Sequence, residues 1–167
     1  MARAPLSLKA RAIGLLAQRE HSRLELRRKL LGIARRSRAA AAADAGTDEE
    51  AAQDADQAGE NAVDALLDAL AAEGYLDETR FVESRLHVRA GRFGAQRIQQ
   101  ELAQHGLKLD AEQQAALRAT ELERAREVWL KRFGPEPARD AAEQARQTRF
   151  LLARGFSPEL VRRLLRP

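Results

Sequence analysis

The chain has no cysteine. Disulfides, thiol catalysis and cysteine-based metal sites are thereby excluded, and the composition suits a reducing compartment. Aromatic residues are scarce, with one Trp, one Tyr and five Phe, so the core must be built from Leu, Ala and a few rings. Helices permit that, and no run of alternating β-branched residues argues for strands. Nowhere do roughly 18 apolar residues follow one another, so no membrane-spanning helix is expected. Residues 1–5 lead into an amphipathic, Arg-bearing stretch rather than an apolar signal core, and a cytoplasmic location is expected. His21, His87 and His105 are scattered and lack clustered carboxylates, which argues against a metal site. No phosphate-cradling Gly loop, nucleophile elbow or paired His–Glu helix is present, so neither catalysis nor a cofactor is expected. Asp64 and Asp68 stand four apart on a polar face without a His partner and read as a solvated surface.

One phrase occurs three times. Ser22 to Leu30, Gly94 to Leu102 and Ser157 to Leu165 each open on a small residue. Each then places an aliphatic residue four positions on and a Leu eight positions on. That spacing puts two apolar side chains on one helical stripe, with mostly basic or amide residues between them. Phe93 and Phe156 hold matching positions just before two of the copies, which predicts a shared packing role. Internal repetition of this kind points to a stacked helical array that presents a binding face.

Charge is unevenly placed along the 167 residues. Residues 1–38 hold 11 Lys or Arg against 2 acids, whereas residues 39–79 hold 12 acids and no Lys or Arg. Both remaining stretches are again net basic, and Arg greatly outnumbers Lys. A basic array interrupted by one acidic block favours polyanions such as nucleic-acid backbones, or an acidic protein groove.

Nine helices are expected. The first covers residues 7–20 with Ser7 as N-cap and Leu8, Ala12, Leu15 and Leu16 as its stripe. Ser22, followed by Glu25, opens the second, which buries Leu26 and Leu30 and leaves Arg23, Arg27, Arg28 and Arg35 toward solvent. Residues 37–60 are mostly Ala and acid, with no aromatic and no large aliphatic residue. They cannot bury enough apolar area to offset an ordering entropy of about 1–2 kcal/mol per residue, and are expected to form a disordered insertion outside the core. Asn61 is then the candidate N-cap of a helix carrying Val63, Leu66, Leu67 and Leu70 and closed by Gly74. Tyr75 is expected to pack between repeats. Asp77 caps a helix to about Ala90, with Phe81, Val82, Leu86 and Val88 as its apolar residues. Helices over 94–104, from Asp110 with Gln113 completing a capping box, over 121–133, over 138–153 and from Ser157 follow. Trp129 is expected in the core.

In this order the phrases resemble the RecX family, modulators of the RecA recombinase. The resemblance rests on Leu15 to Arg23, Glu25 to Leu30, Leu70 to Phe81, Gly94 to Leu102 and Phe150 to Ser157. It implies an all-α molecule of tandem three-helix repeats forming an elongated, curved array. The corresponding boundaries are 1–76 (with the insertion at about 37–60), 77–119 and 120–167. It also implies binding in the groove of the RecA–DNA filament and inhibition of RecA ATPase and strand exchange, in recombination and DNA repair. The acidic stretch is the departure from the family pattern, and it bears on the charge and accessibility of the first basic helix.

Candidate contacts to RecA or to DNA, single- or double-stranded, are the cations of the repeated helices and their neighbours. They are Arg23, Arg27, Arg28 and Lys29 in the first repeat, and Arg89, Arg92 and Arg97 in the second. Arg149, Arg154, Arg162 and Arg163 complete the set in the third. Each phosphate neutralised would contribute about 0.9 to the slope of log K against log salt. The plainer reading of any such run is a solvated helix face. A monomer is expected, and the alternative function is a stand-alone basic helical nucleic-acid-binding protein without a recombinase partner.

Overall fold

A computed structural model describes residues 6–43 and 49–166. Among the described residues there are nine helices and no strand. In chain order they are α1 (Leu8–Gln18), α2 (Arg23–Ala42), α3 (Glu49–Ala72), α4 (Glu78–Arg89) and α5 (Ala95–Gln104). Then follow α6 (Ala111–Ala119), α7 (Glu121–Phe133), α8 (Ala141–Ala153) and α9 (Pro158–Leu164). The chain divides into two compact units, Met1–Phe81 and Val82–Pro167.

In the first unit Ser7 accepts the Ala10 N–H and Ser22 the Glu25 N–H, so two helix starts are satisfied by hydroxyls. Ala12, Leu26, Leu30, Val63, Leu67, Leu70 and Leu76 form its fully or nearly fully buried core, with Leu8, Leu15, Leu16 and Leu66 packed against it. Burying one Leu side chain completely stabilises a fold by about 1.5–3 kcal/mol, and five of these seven residues are Leu.

Among the described residues, the segment expected to be a disordered insertion is helical instead. Residues 37–42 continue α2 and residues 49–60 form the first half of α3, while residues 44–48 lie outside the described residues. Alanine has the highest helix propensity, and paired charges link the two helices, so a core is not needed for helix to form here. The segment is surface-facing, as expected, with residues 49–58 all exposed. Asn61 is accordingly inside α3 rather than at its start. Tyr75 is 45% exposed instead of packed, and Leu76 fills the core position beside it. Val88 likewise faces solvent.

In the second unit Ile98 and Leu102, the aliphatic pair of the middle phrase, are buried, as is Val161 of the last. Ala125, Val128, Leu151, Phe156 and Val161 form one core cluster, with Trp129, Phe150, Leu160 and Leu165 against it. Trp129 donates its indole N–H to the buried Gln147 at 2.9 Å. Asp110 and Gln113 form the expected capping box, and Asp140 rather than residue 138 opens α8 by accepting the Glu143 N–H. Three helix ends share one pattern, in which a Leu carbonyl accepts the N–H five residues on. It joins Leu70 to Tyr75, Leu102 to Leu107 and Leu151 to Phe156.

Candidate nucleic-acid and partner interface

The first unit uses most of its basic helix internally. On α3, Asp56, Glu60, Asp64 and Asp68 recur every four residues and so share one face. Across from them, Arg38 pairs with Asp56, and Arg35 and Arg27 lie 3.5 Å from Glu60. Arg27 also holds Asp64 in a two-pronged contact at 2.7 and 3.1 Å, and Arg23 reaches Asp68 at 2.6 Å. The hydrogen bond from Arg27 lowers the Asp64 carboxyl below its ordinary range, and Asp64 in turn raises the guanidinium. Asp64 and Asp68 are thus ion-pair partners rather than a merely solvated face. Arg23 and Arg27 are half-buried and engaged rather than free in solvent, whereas Arg35 is exposed as expected and meets Glu60 at the surface. Arg28 is exposed and has no ion-pair partner among the described residues.

Lys29 belongs to a second network at the α1–α2 turn. His21 is buried, with Nδ1 2.9 Å from the Arg19 carbonyl and Nε2 3.1 Å from Lys29 Nζ. Nδ1 therefore donates and Nε2 accepts, which is the neutral ring. Burial is the main cause of its lowered pKa. Burial would raise Glu25, but the hydrogen bond from Arg19 and the nearby Arg19, His21 and Lys29 charges outweigh it and bring the carboxyl down to about 2. Both shifts act in the same direction on stability. Unfolded chains take up a proton on His21 near 6.5, where the folded ring does not, so stability falls as pH drops below 6.5. A second loss begins near 4.5 and continues toward 2 as Glu25 protonates. Thermal melts at pH 7.5, 5.5 and 4 should show both stages. His21→Gln should remove the first, and a variant retaining the full wild-type drop between pH 7.5 and 5.5 would contradict the assignment.

In the second unit, two glycines bring backbones into contact. Gly94 donates its N–H to the Arg154 carbonyl at 2.8 Å, and Gln96 donates to the Gly155 carbonyl at 3.2 Å. The middle phrase lacks the Ser of its sister copies. Its helix start is satisfied instead by Gly155 and by the buried Glu121, whose Oε1 accepts the Ala95 N–H at 2.9 Å. Arg124 then fixes the turn before α5. Nη1 donates to the Ala90 and Phe93 carbonyls at 2.7 and 2.9 Å, and Nη2 donates to Leu117 at 2.9 Å.

This scaffold holds Phe93 in the wall of a groove of about 680 Å³, with Val128 and Phe150 also lining it. The guanidinium carbons of Arg97, Arg89 and Arg154 stand 4.7, 5.3 and 5.4 Å from the Phe93 ring centre. Arg154 also lies 5.0 Å from Phe150, which meets Phe133 edge-to-face at 5.2 Å. Such cation–ring contacts orient guanidinium groups without neutralising them. Arg92, Lys131 and Arg132 add further charge to the lining, which includes no Asp or Glu. Arg89 is compensated, its Nε 3.0 Å from Glu101 but too poorly aligned for a hydrogen bond.

Of the predicted cations, the groove lining therefore gathers Arg92, Arg97 and Arg154, and Arg89 stands beside it against Phe93. Arg149 is exposed on α8, and Arg162 and Arg163 are exposed on α9, outside that lining. Phe93 and Phe156 do not share a role. Phe156 is fully buried, whereas Phe93 is half-buried under arginines. Lys131, Arg132, Phe150 and Arg124 were not singled out by sequence. A signal existed in three of the four Arg-Phe pairs, those at 92–93, 132–133 and 149–150, whose rings take part in the cation–ring contacts, whereas Phe81 of the pair at 80–81 is buried. No group of three or more His, Asp or Glu side chains could hold a metal ion among the described residues, and no described helix is long and apolar enough to cross a membrane.

Comparison with known proteins bears on the whole chain. A family model described as the RecX third three-helix domain matches residues 119–165. Regulatory protein RecX of Ralstonia pickettii (strain 12J) is 47% identical over 98% of this chain and 89% of its own length. The protein of the same name from Leptothrix cholodnii is 49% identical over 98% of this chain and 90% of its own. That of Herminiimonas arsenicoxydans is 43% identical over 99% and 95%. With identity at this level along nearly its full length, the chain belongs to the RecX family of regulatory proteins.

Proposed function

We propose that this chain regulates recombination and DNA repair by binding the RecA–DNA filament and lowering RecA's ATPase and strand-exchange activities. The observation that carries the reading is the cationic groove of the second unit, lined by five Lys or Arg and no carboxylate, in a chain related throughout to RecX proteins. Regulation requires unequal affinity for filament states, because a ligand that binds two states equally shifts nothing. In the first unit the contact narrows to Arg28 and its exposed neighbours, since Arg23, Arg27 and Lys29 already have partners. Arg149, Arg162 and Arg163 extend the contact in the second. The three-repeat division at 76/77 and 119/120 is part of the proposal; it groups α1–α3, α4–α6 and α7–α9, and the family-model match at 119–165 supports its last member.

The test is RecA's DNA-dependent ATP turnover at rising amounts of this protein, with DNA in large excess so that sequestration cannot contribute. Turnover should fall severalfold near stoichiometry, and undiminished turnover at excess would sink the reading. Arg28→Glu should weaken filament binding without changing the melting temperature. Arg27→Glu should instead lower the melting temperature, because a third acid then faces Glu60 and Asp64.

A further inference from the structure

The groove beside Phe93 carries chemistry that a generic basic surface lacks. Its cations come from separate places in the fold: Arg92 from the turn after α4, Arg97 from α5, Lys131 and Arg132 from α7, and Arg154 from the end of α8. Arg97 hydrogen-bonds the Ala153 carbonyl at 3.1 Å, and Arg154 lies 3.4 Å from that of Arg92. Those acceptors carry no net charge, so the guanidinium charges remain uncompensated. Phe93, Val128 and Phe150 give the lining its large apolar side chains, and the volume of about 680 Å³ is that of a ligand pocket rather than a flat patch.

The α2–α3 pair shows how this chain meets carboxylates, with arginines along one helix facing acids spaced a turn apart on the other. The groove differs by converging several cations on one concavity beside aromatic rings. A DNA duplex is a poor occupant, because it is a rigid cylinder whose bases are turned inward and whose phosphates would touch only the rim. A single strand carries a phosphate and a flat base on the same flexible unit. Bases stack on aromatic rings and on guanidinium planes, and Arg forks hold phosphate oxygens.

We propose that this groove seats one or two nucleotides of single-stranded nucleic acid, with phosphate held by Arg97 and Arg154 and a base stacked along the guanidinium planes that Phe93 and Phe150 back. The proposal goes beyond filament regulation, since the strand alone is the ligand. Either idea can therefore fail while the other stands.

The experiment is fluorescence anisotropy of a labelled oligothymidylate with the full chain at several salt concentrations. Binding should be salt-dependent, with a slope of about 0.7 per phosphate contact on single strands. Arg97→Gln combined with Arg154→Gln should weaken binding at least tenfold and lower the slope by about 1.4. Phe93→Leu should weaken it severalfold with the slope unchanged, which is the signature of lost stacking. If the double variant loses helicity by circular dichroism, Arg92→Gln with Lys131→Gln serves instead. Both of those side chains are exposed and without an ion-pair partner among the described residues. Wild-type affinity and slope in the folded variants would overturn the proposal. So would equal competition by a duplex of the same length. Displacement by an oligoglutamate peptide as readily as by unlabelled strand would also overturn it, and would assign the groove to an acidic protein segment.

Discussion

Gly94→Ala and Gly155→Ala should each destabilise the second unit by about 3 kcal/mol or more, for two different reasons. At 94 the backbone is ordinary extended chain, with φ −76°. A Cβ there would fall within the carbonyl of Gly155 and against the Phe156 nitrogen, both rigid backbone. Relief requires the two segments to separate, which breaks the 2.8 Å and 3.2 Å hydrogen bonds joining them, each worth about 1 kcal/mol. At 155 φ is +86°, a conformation that costs a side-chain-bearing residue roughly 1–3 kcal/mol. An added Cβ would also lie 2.6 Å from the Arg97 amide nitrogen. For a unit of this size the expected fall in melting temperature is roughly 15 °C. Gly91→Ala is the control, because nothing lies within 4 Å of a Cβ built there. A melting temperature for Gly94→Ala within about 3 °C of the control would show that the backbones can part without loss.

Substituting Arg124 should cost a similar amount, about 3–5 kcal/mol for Arg124→Ala, because hydrogen bonds from a charged donor contribute about 1.5–3 kcal/mol each and are not additive. Its guanidinium serves the carbonyls of Ala90, Phe93 and Leu117, and its Nε donates to Thr120 Oγ1 at 3.1 Å. Burial lowers its pKa, with Glu121 acting against that, yet a guanidinium so far above neutrality stays charged. Arg124→Lys should recover little. An ammonium is a compact point charge and cannot span acceptors on three sides. Urea denaturation followed by helicity gives the comparison, and a wild-type midpoint for the Lys variant would show that charge alone matters here.

The sites that local rules could reach were those whose chemistry is local. Ser22 and Ser157 accept N–H groups three residues on, and Leu26, Leu30, Ile98, Leu102 and Val161 are buried where the repeated phrase places them. Helix formation over 37–42 and 49–60 escapes an entropy argument built on core burial, which gives too little weight to alanine's helix propensity and none to cross-helix charge. Phe93 and Phe156 look equivalent in sequence, but the preceding residues differ. A positive-φ Gly155 turns Phe156 back onto Leu151, whereas no such residue ends α4, where Arg92 and Phe93 both donate to the Arg89 carbonyl. The groove was only half legible. Arg92, Arg97 and Arg154 were visible as basic residues beside a repeat, but Lys131 and Arg132 join them only through tertiary packing of α7.

The acids of α3 stand at equal four-residue intervals, and that regularity divides labour between its two kinds of contact. Sliding one helix along the other by a turn would again bring acids opposite arginines, so the charges draw the helices together without saying where they should stop. The choice of stopping point falls to the uneven apolar residues, Leu26 and Leu30 against Val63, Leu67 and Leu70. Electrostatics sets the partner in this hairpin, and its leucines set the alignment.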